Sequence, residues 1–321
     1  MSVIQNLPAE WHSQSAVLLA WPHARSDWDS SLDAIEAVYR DLAHAISARQ
    51  TLLVVAYDAD HERHVRAQLS AAHAHRERCR IFIAPTNDTW VRDSAPLTVL
   101  RDDTPVLLDF VFNGWGNKYA CEHDNALSPR LYRQHAFGET PIEAHDLVLE
   151  GGSVEVDGEG TLLSTTACLL ATTRNPTLTR EQIEQRLGDT LGIRSVLWLE
   201  HGYLAGDDTD SHVDMLARFC DARTIAYVRC DDPNDEHYDA LSKMERELQG
   251  FRRSNGEPYR LLALPWPAAK FNAEGERLPA SYANFLILND AVLVPIYDDP
   301  ADAVALDVIA DVFPSVPLTS R

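Results

Sequence analysis

The stretch SVEVDGEGTLLST at residues 153–165 reads as a β-hairpin, and together with the segments downstream of it decides the fold. Apolar residues alternate on both sides of the Asp157–Gly160 turn. A helical pattern then runs from 179 to 191, with Thr179 as N-cap and Gly192 just past the end. SVLWL at 195–199 comes next as a short apolar strand. The unit is strand, strand, helix, strand.

That unit recurs. Hairpins fall at 96–112, 215–230 and 285–297, and helical stretches at 123–137, 234–250 and 300–312. Closing strands follow the first two of these helices, at 145–149 and 259–264. The N-terminal part has strands at 16–21, 51–57 and 80–84 and helices at 28–49 and 60–72, with no hairpin. After the last helix, VFPSVPLTSR begins a further strand. The expected fold is α/β, one closed ring of pseudo-five-fold ββαβ modules whose last module is incomplete. A C-terminal strand pairing with Ala16–Trp21 would close the ring and remove its sheet edges. Residues 1–321 would form one domain, with an open two-domain α/β sheet as the alternative.

Composition narrows the function. With 28 Lys+Arg against 49 Asp+Glu, the formal charge is -21, which repels nucleic acid and anionic lipid. That charge serves solubility, or it draws in a small cation. No run approaches the roughly 18 apolar residues of a membrane span, and the start, MSVIQNLPAEWHSQ, lacks the pattern of a signal peptide. The five cysteines are odd in number and show no CxxC, which suits a reducing cytoplasm. Self-association is left open.

Loops after the last strand of each module should meet on one face, where α/β folds gather function. These loops carry Asp93, Glu150, Asp214 and Asn284, separated by 57, 64 and 70 residues, about one module each time. Glu150 ends an apolar strand and precedes Gly151–Gly152, which permit a close backbone approach. His212 and Asp214 stand two apart in HVD at the entrance of a strand, where alternation would put them on one side. A carboxylate beside an imidazole raises its pKa and suits acid/base work. His201 lies outside that pair and reads as structural. Asp207, Asp208 and Asp210 extend the pair into an oxygen–nitrogen cluster, but HExxH and EF-hand spacings are missing. No metal or cofactor is expected.

NDTWVRDSAP (87–96), FNGWGNKY (112–119), LEGGSVEVDGEGTLLST (149–165), TRNPTLT (173–179), GDDTDSHVDMLARF (206–219) and SYANFLILNDAVLVPIYDDP (281–300) together resemble the agmatine deiminases and the Porphyromonas-type peptidyl-arginine deiminases of one superfamily. The resemblance covers nearly the whole chain. It implies the five-bladed pentein-like propeller and hydrolysis of a guanidinium to a urea and ammonia through a Cys-linked intermediate. By position, Asp93 and Asp214 match the carboxylates that grip the guanidinium, Glu150 the glutamate near the histidine, and His212 the general acid/base. Trp90 matches a pocket-lining aromatic and Asn284 a polar active-site position. The family's nucleophile lies in a C-terminal segment resembling GGSLHC, which is expected beyond residue 321. None of Cys79, Cys121, Cys168, Cys220 or Cys230 matches it. Cys121 precedes a helix start, which could lower its pKa. The expected activity is agmatine deimination, on a small guanidinium substrate. The alternatives are a peptidyl-arginine or arginine deiminase, a metal hydrolase, or an inactive guanidinium-binding homologue.

Overall fold

Backbone hydrogen bonds gather the chain into a four-stranded sheet, four three-stranded sheets and a two-stranded ribbon. The computed structural model describes residues 5–313 and, as backbone, 318–320. The first sheet holds Ala16–Ala20, Thr51–Ala56 and Cys79–Ile83, all parallel. The second holds Leu97–Arg101, Thr104–Val111 and Ile142–Val148, with Gln5–Asn6 added antiparallel on Leu97–Arg101. The third is Glu155–Val156, Thr161–Thr165 and Ser195–Leu199. The fourth is Ala217–Asp221, Thr224–Val228 and Arg260–Leu264. The fifth is Leu286–Leu288, Ala291–Val294 and Leu318–Ser320. The last four repeat one pattern, an antiparallel hairpin whose second strand pairs parallel with a strand beyond a helical segment.

The local chemistry explains these elements. Thr161–Thr165, Thr224–Val228 and Ala291–Val294 are buried at every residue, as strands covered on both faces must be. Thr179 and Gln182 form a reciprocal capping box at the start of helix Arg180–Leu191, and Gly192 ends it at φ 73°. Asp58 caps Ala59–Ala71 through the His61 N–H.

Each sheet shares a core with its neighbours. Ala20 and Val55 of the first sheet pack with Leu127 and Leu131 from the second module's helical segment. Val99 and Leu108 pack with Leu162 and Leu187. Leu163 and Leu199 join Phe219 and Ile225, and these join Val292 and Ile309. Leu288 and Leu293 of the fifth sheet pack against Trp21 and Val54 of the first. Among the described residues none of the sheets is closed. No helix there is long and apolar enough to cross a membrane.

Several expected boundaries move. The helix expected at 123–137 is two short pieces, Glu122–Asn125 and Leu127–Arg133, because Pro129 has no N–H to donate to the Asn125 carbonyl four residues back. The helix expected at 28–49 begins at Leu32, after a 3-10 turn. HVD is not strand. Val213–Met215 is a 3-10 turn, entered through Asp210 and Ser211, both at φ 65°. Residues 318–320 supply the parallel strand beside Ala291–Val294, as VFPSVPLTSR suggested. Ala16–Ala20 pairs only with Thr51–Ala56 among the described residues.

Candidate active site

Gly152 marks the centre. A Cβ built on it would lie 2.5 Å from His212 Nδ1 and 2.8 Å from both Asp93 Oδ1 and Asp214 Oδ2. Gly151 needs the same freedom, because its Cβ would strike the Arg92 carbonyl. The Gly-Gly pair therefore lets three loops, from three modules, converge on one backbone segment.

Asp93 sits in a short helix, Val91–Ser94, after the first sheet. Its Oδ1 accepts the Gly152 N–H at 2.9 Å and its Oδ2 accepts Trp115 Nε1–H at 2.9 Å. His212 is fully enclosed, with Nδ1 3.6 Å from Asp93 Oδ1 and Nε2 3.8 Å from Glu150 Oε2. Burial alone would lower its pKa, but Asp93, Cys168 and Glu150 outweigh that and hold it well above the ordinary imidazole value. Asp214 moves the other way. Burial, with Asp93 beside it, pushes its carboxyl up to about 7 against the pull of His212 and Arg92.

Glu150 ends the second sheet as expected and is completely buried. Both its oxygens accept Arg174 Nε–H at 2.9 Å. Burial would raise its pKa, but His212 and Arg174 hold it below the usual value. Arg174 also donates to Asp210 Oδ2 at 2.7 Å and to the Thr209 carbonyl at 2.8 Å, so it fastens Glu150 to the loop that carries His212. Asp207 accepts from the Thr209 and Ser211 N–H groups. This acidic stretch shapes and anchors the loop.

The sequence-expected residues do not all reach the centre. Asn284 lies beside Asp214, donating to its backbone carbonyl at 3.4 Å. Trp90 is at the rim, 48% exposed, with Nε1–H on Asp88 Oδ2 at 3.0 Å and its ring 6.0 Å from Trp28. His201 pairs with Glu247 away from the centre. Cys121 does precede a helical turn, yet burial pushes its thiol up, with Glu122 and Asp124 adding to it.

Sequence reasoning missed Arg174, Trp115 and the location of Cys168. Cys168 Sγ lies 3.9 Å from Glu150 Oε2 and is enclosed. Its thiol is pushed up by burial and by Glu150, against His212 and Arg174. Arg174 stood in the TRNPTLT motif, but nothing local marked its partner. Glu150, Cys168 and His212 place one ligand atom each within 4.8 Å of one another. Yet Arg174 already occupies both Glu150 oxygens. A guanidinium at that point opposes a second cation, so the cluster does not fit a resident metal.

The Porphyromonas-type peptidyl-arginine deiminase family model matches residues 6–319. The chain belongs to this family. Within it, an agmatine deiminase of Pseudomonas putida is 34% identical, over 96% of this chain and 88% of the relative. A solved C. jejuni agmatine deiminase, a Cys-to-Ser variant with substrate bound, superposes with TM-score 0.90 at 35% identity, over 100% of this chain and 91% of the other. A Porphyromonas gingivalis structure, provisionally named an arginine deiminase, reaches TM-score 0.90 at 46% identity, covering 98% and 92%. The family's enzymes hydrolyse C–N bonds of amidines, and this chain places the carboxylates of Asp93, Glu150 and Asp214 around the buried imidazole of His212.

Proposed function

We propose that the protein is an agmatine deiminase, which hydrolyses the guanidinium of agmatine to the urea of N-carbamoylputrescine and releases ammonia. The observation that carries this is the convergence of Asp93, Asp214 and His212 on Gly152. A guanidinium is a planar permanent cation, and two carboxylates can hold it by charge-assisted hydrogen bonds. That grip fixes the central carbon for attack. A thiolate adds to the carbon and the C–N bond breaks. His212 gives the proton with which the nitrogen leaves as ammonia, and a thiouronium remains on sulfur. Water then loses a proton to His212 and attacks. The C–S bond breaks and the new hydroxyl gives up its proton, which ends on the released ammonia as ammonium, so that the thiolate returns and the neutral ureido product leaves.

The thiolate belongs, on this reading, to a cysteine outside residues 1–321. The Nδ1 edge of His212 faces the two carboxylates, whereas Cys168 lies beyond the Nε2 edge, beside Glu150. The second reading makes Cys168 the nucleophile, favoured by its place in the Glu150–His212 cluster. In the full-length protein Cys168→Ser should keep turnover within about tenfold and remain sensitive to iodoacetamide. Loss of turnover, with a substrate-derived adduct mapped to Cys168 in the wild type, would establish the second reading.

The mouth favours an amine over a carboxylate at the far end of the substrate. Trp115 meets Tyr119 edge-on at 5.6 Å, and the Tyr119 hydroxyl donates to Asp208 at 2.6 Å. Asp88 is pushed up to about 6 by burial with Asp27 nearby, a site that a cation would relieve. Lys118 is engaged by Asp210 and Arg92 by Glu10. The deciding assay is ammonia release by the full-length protein from agmatine, free arginine and blocked arginine peptides. Faster turnover of arginine or the peptides would overturn the substrate.

The acidity of Asp214 gives a pH prediction. Its carboxyl is neutral below about 7, so the grip on a cation is complete only above that value. For agmatine, kcat/KM should rise with pH through about 7, reporting the free protein. A flat profile from about pH 6 to 8 would remove Asp214 from substrate binding.

On the same reading the five principal sheets are blades of one α/β propeller, and residues 1–321 are a single deiminase domain. The support is the cyclic order of shared cores, from first and second sheets round to fifth and first. A cytoplasmic location accords with five unpaired thiols.

A further inference from the structure

We infer that Glu10 is a positioning residue: it holds Arg92, the chain's own guanidinium beside Asp93 and Asp214, so that these carboxylates stay open to the substrate's guanidinium. The inference rests on the deiminase reading of that site.

Glu10 lies in the segment between Gln5–Asn6 and Ala16–Ala20, far from the catalytic loops in sequence. Its Oε2 accepts from Arg92 Nη2 at 2.9 Å and from Arg218 Nη2 at 2.8 Å. Its Oε1 accepts the Ile287 N–H at 2.7 Å. Glu10 cannot drift, because Gln14 Nε2 donates to its carbonyl and to that of Ile287, while the Gln14 N–H donates to Asn289. Arg218 has further anchors. It pairs with Glu155, donates to the Phe285 carbonyl at 2.7 Å, and lies over the Phe285 ring.

Arg92 is held differently. Its side chain is 47% exposed, and Glu10 is the ion-pair partner of its guanidinium. It also feels Asp214 and Asp93 across the site. Its Cδ lies 3.5 Å from where a Gly151 Cβ would stand, next to the Gly152 on which Asp93 and Asp214 converge, so a freed Arg92 would be drawn to the two carboxylates meant for the substrate. It would offer them the same planar cation at the high effective concentration of an intramolecular partner. Arg218 would stay where it is, because Glu155 and Phe285 retain it. Glu10 thus prevents self-inhibition by the site's own arginine.

The test compares the full-length wild type with Glu10→Gln, Arg92→Met and the double variant. Two readouts are taken on agmatine at about two pH units above 7, where Asp214 stays ionised with or without the Arg92 charge: steady-state kinetics, and the rise in Tm that agmatine produces, which needs no turnover. Glu10→Gln should raise KM about tenfold or more and shrink the Tm rise, with kcat within about threefold. Adding Arg92→Met should reverse this and return KM to within about threefold of Arg92→Met alone. Arg92→Met alone should leave KM no higher than in the wild type, which keeps the inference testable if Glu10→Gln fails to fold. A double variant as impaired as Glu10→Gln, or an Arg92→Met protein that binds agmatine more weakly than wild type, would overturn it. A wild type that gains Tm with agmatine but releases no ammonia would sink the deiminase reading and leave the Glu10 comparison intact.

Discussion

His212→Ala is expected to lower kcat on agmatine by about 10²–10⁴-fold, the range for loss of a positioned acid/base. The imidazole lies between Asp93 and Glu150, and their charges keep it protonated despite its burial. It is therefore equipped to give a proton to the departing nitrogen, and after that step to take one from water. KM should change much less, because on the proposed reading the grip on the cation falls to Asp93 and Asp214. Steady-state ammonia release by the full-length protein measures both. A kcat within about threefold of wild type would show that another group moves the proton.

Arg174→Met should destabilise the protein by about 3–5 kcal/mol, the cost of stranding a buried charge. Both side chains of the Arg174–Glu150 pair are 0% exposed, so the carboxylate has no bulk solvent beside it. The loop carrying Asp210 and His212 would lose its anchor at the same time. Urea unfolding reads the loss. Combining Arg174→Met with Glu150→Gln removes the stranded charge, so the double variant should be more stable than Arg174→Met alone. Equal destabilisation of the two would mean that the packing of Arg174, rather than its charge, matters.

The site was partly legible because one feature of it is local. A carboxylate at a strand end followed by two glycines marks a close backbone approach, and Gly151–Gly152 delivers it, while the Glu150 carboxylate is buried and partnered by Arg174. The HVD segment shows the limit of the same method. Alternation along a strand was the wrong reason for pairing His212 with Asp214, since Val213–Met215 is a 3-10 turn. The two side chains meet at Gly152 because positive φ at Asp210 and Ser211 redirects the chain before it enters the fourth sheet. Helix ends were legible where caps were strong, as at Thr179, and misplaced where a proline interrupts the backbone ladder, as Pro129 does between Glu122–Asn125 and Leu127–Arg133.

By itself the sequence determined the repeating strand–strand–helix–strand unit, the family, and the loops on which the charged candidates stand. Hydrophobic period, turn chemistry and caps act over a few residues, and a chain carries them in plain order. Only the tertiary structure decided which charges neutralise which. Glu10 meets Arg92 and Arg218, Arg174 meets Glu150, and Cys168 comes to rest beside Glu150 and His212. Such partnerships form between modules, where burial makes an unpaired charge too costly to leave, and nothing local encodes which distant residue will supply the counter-charge.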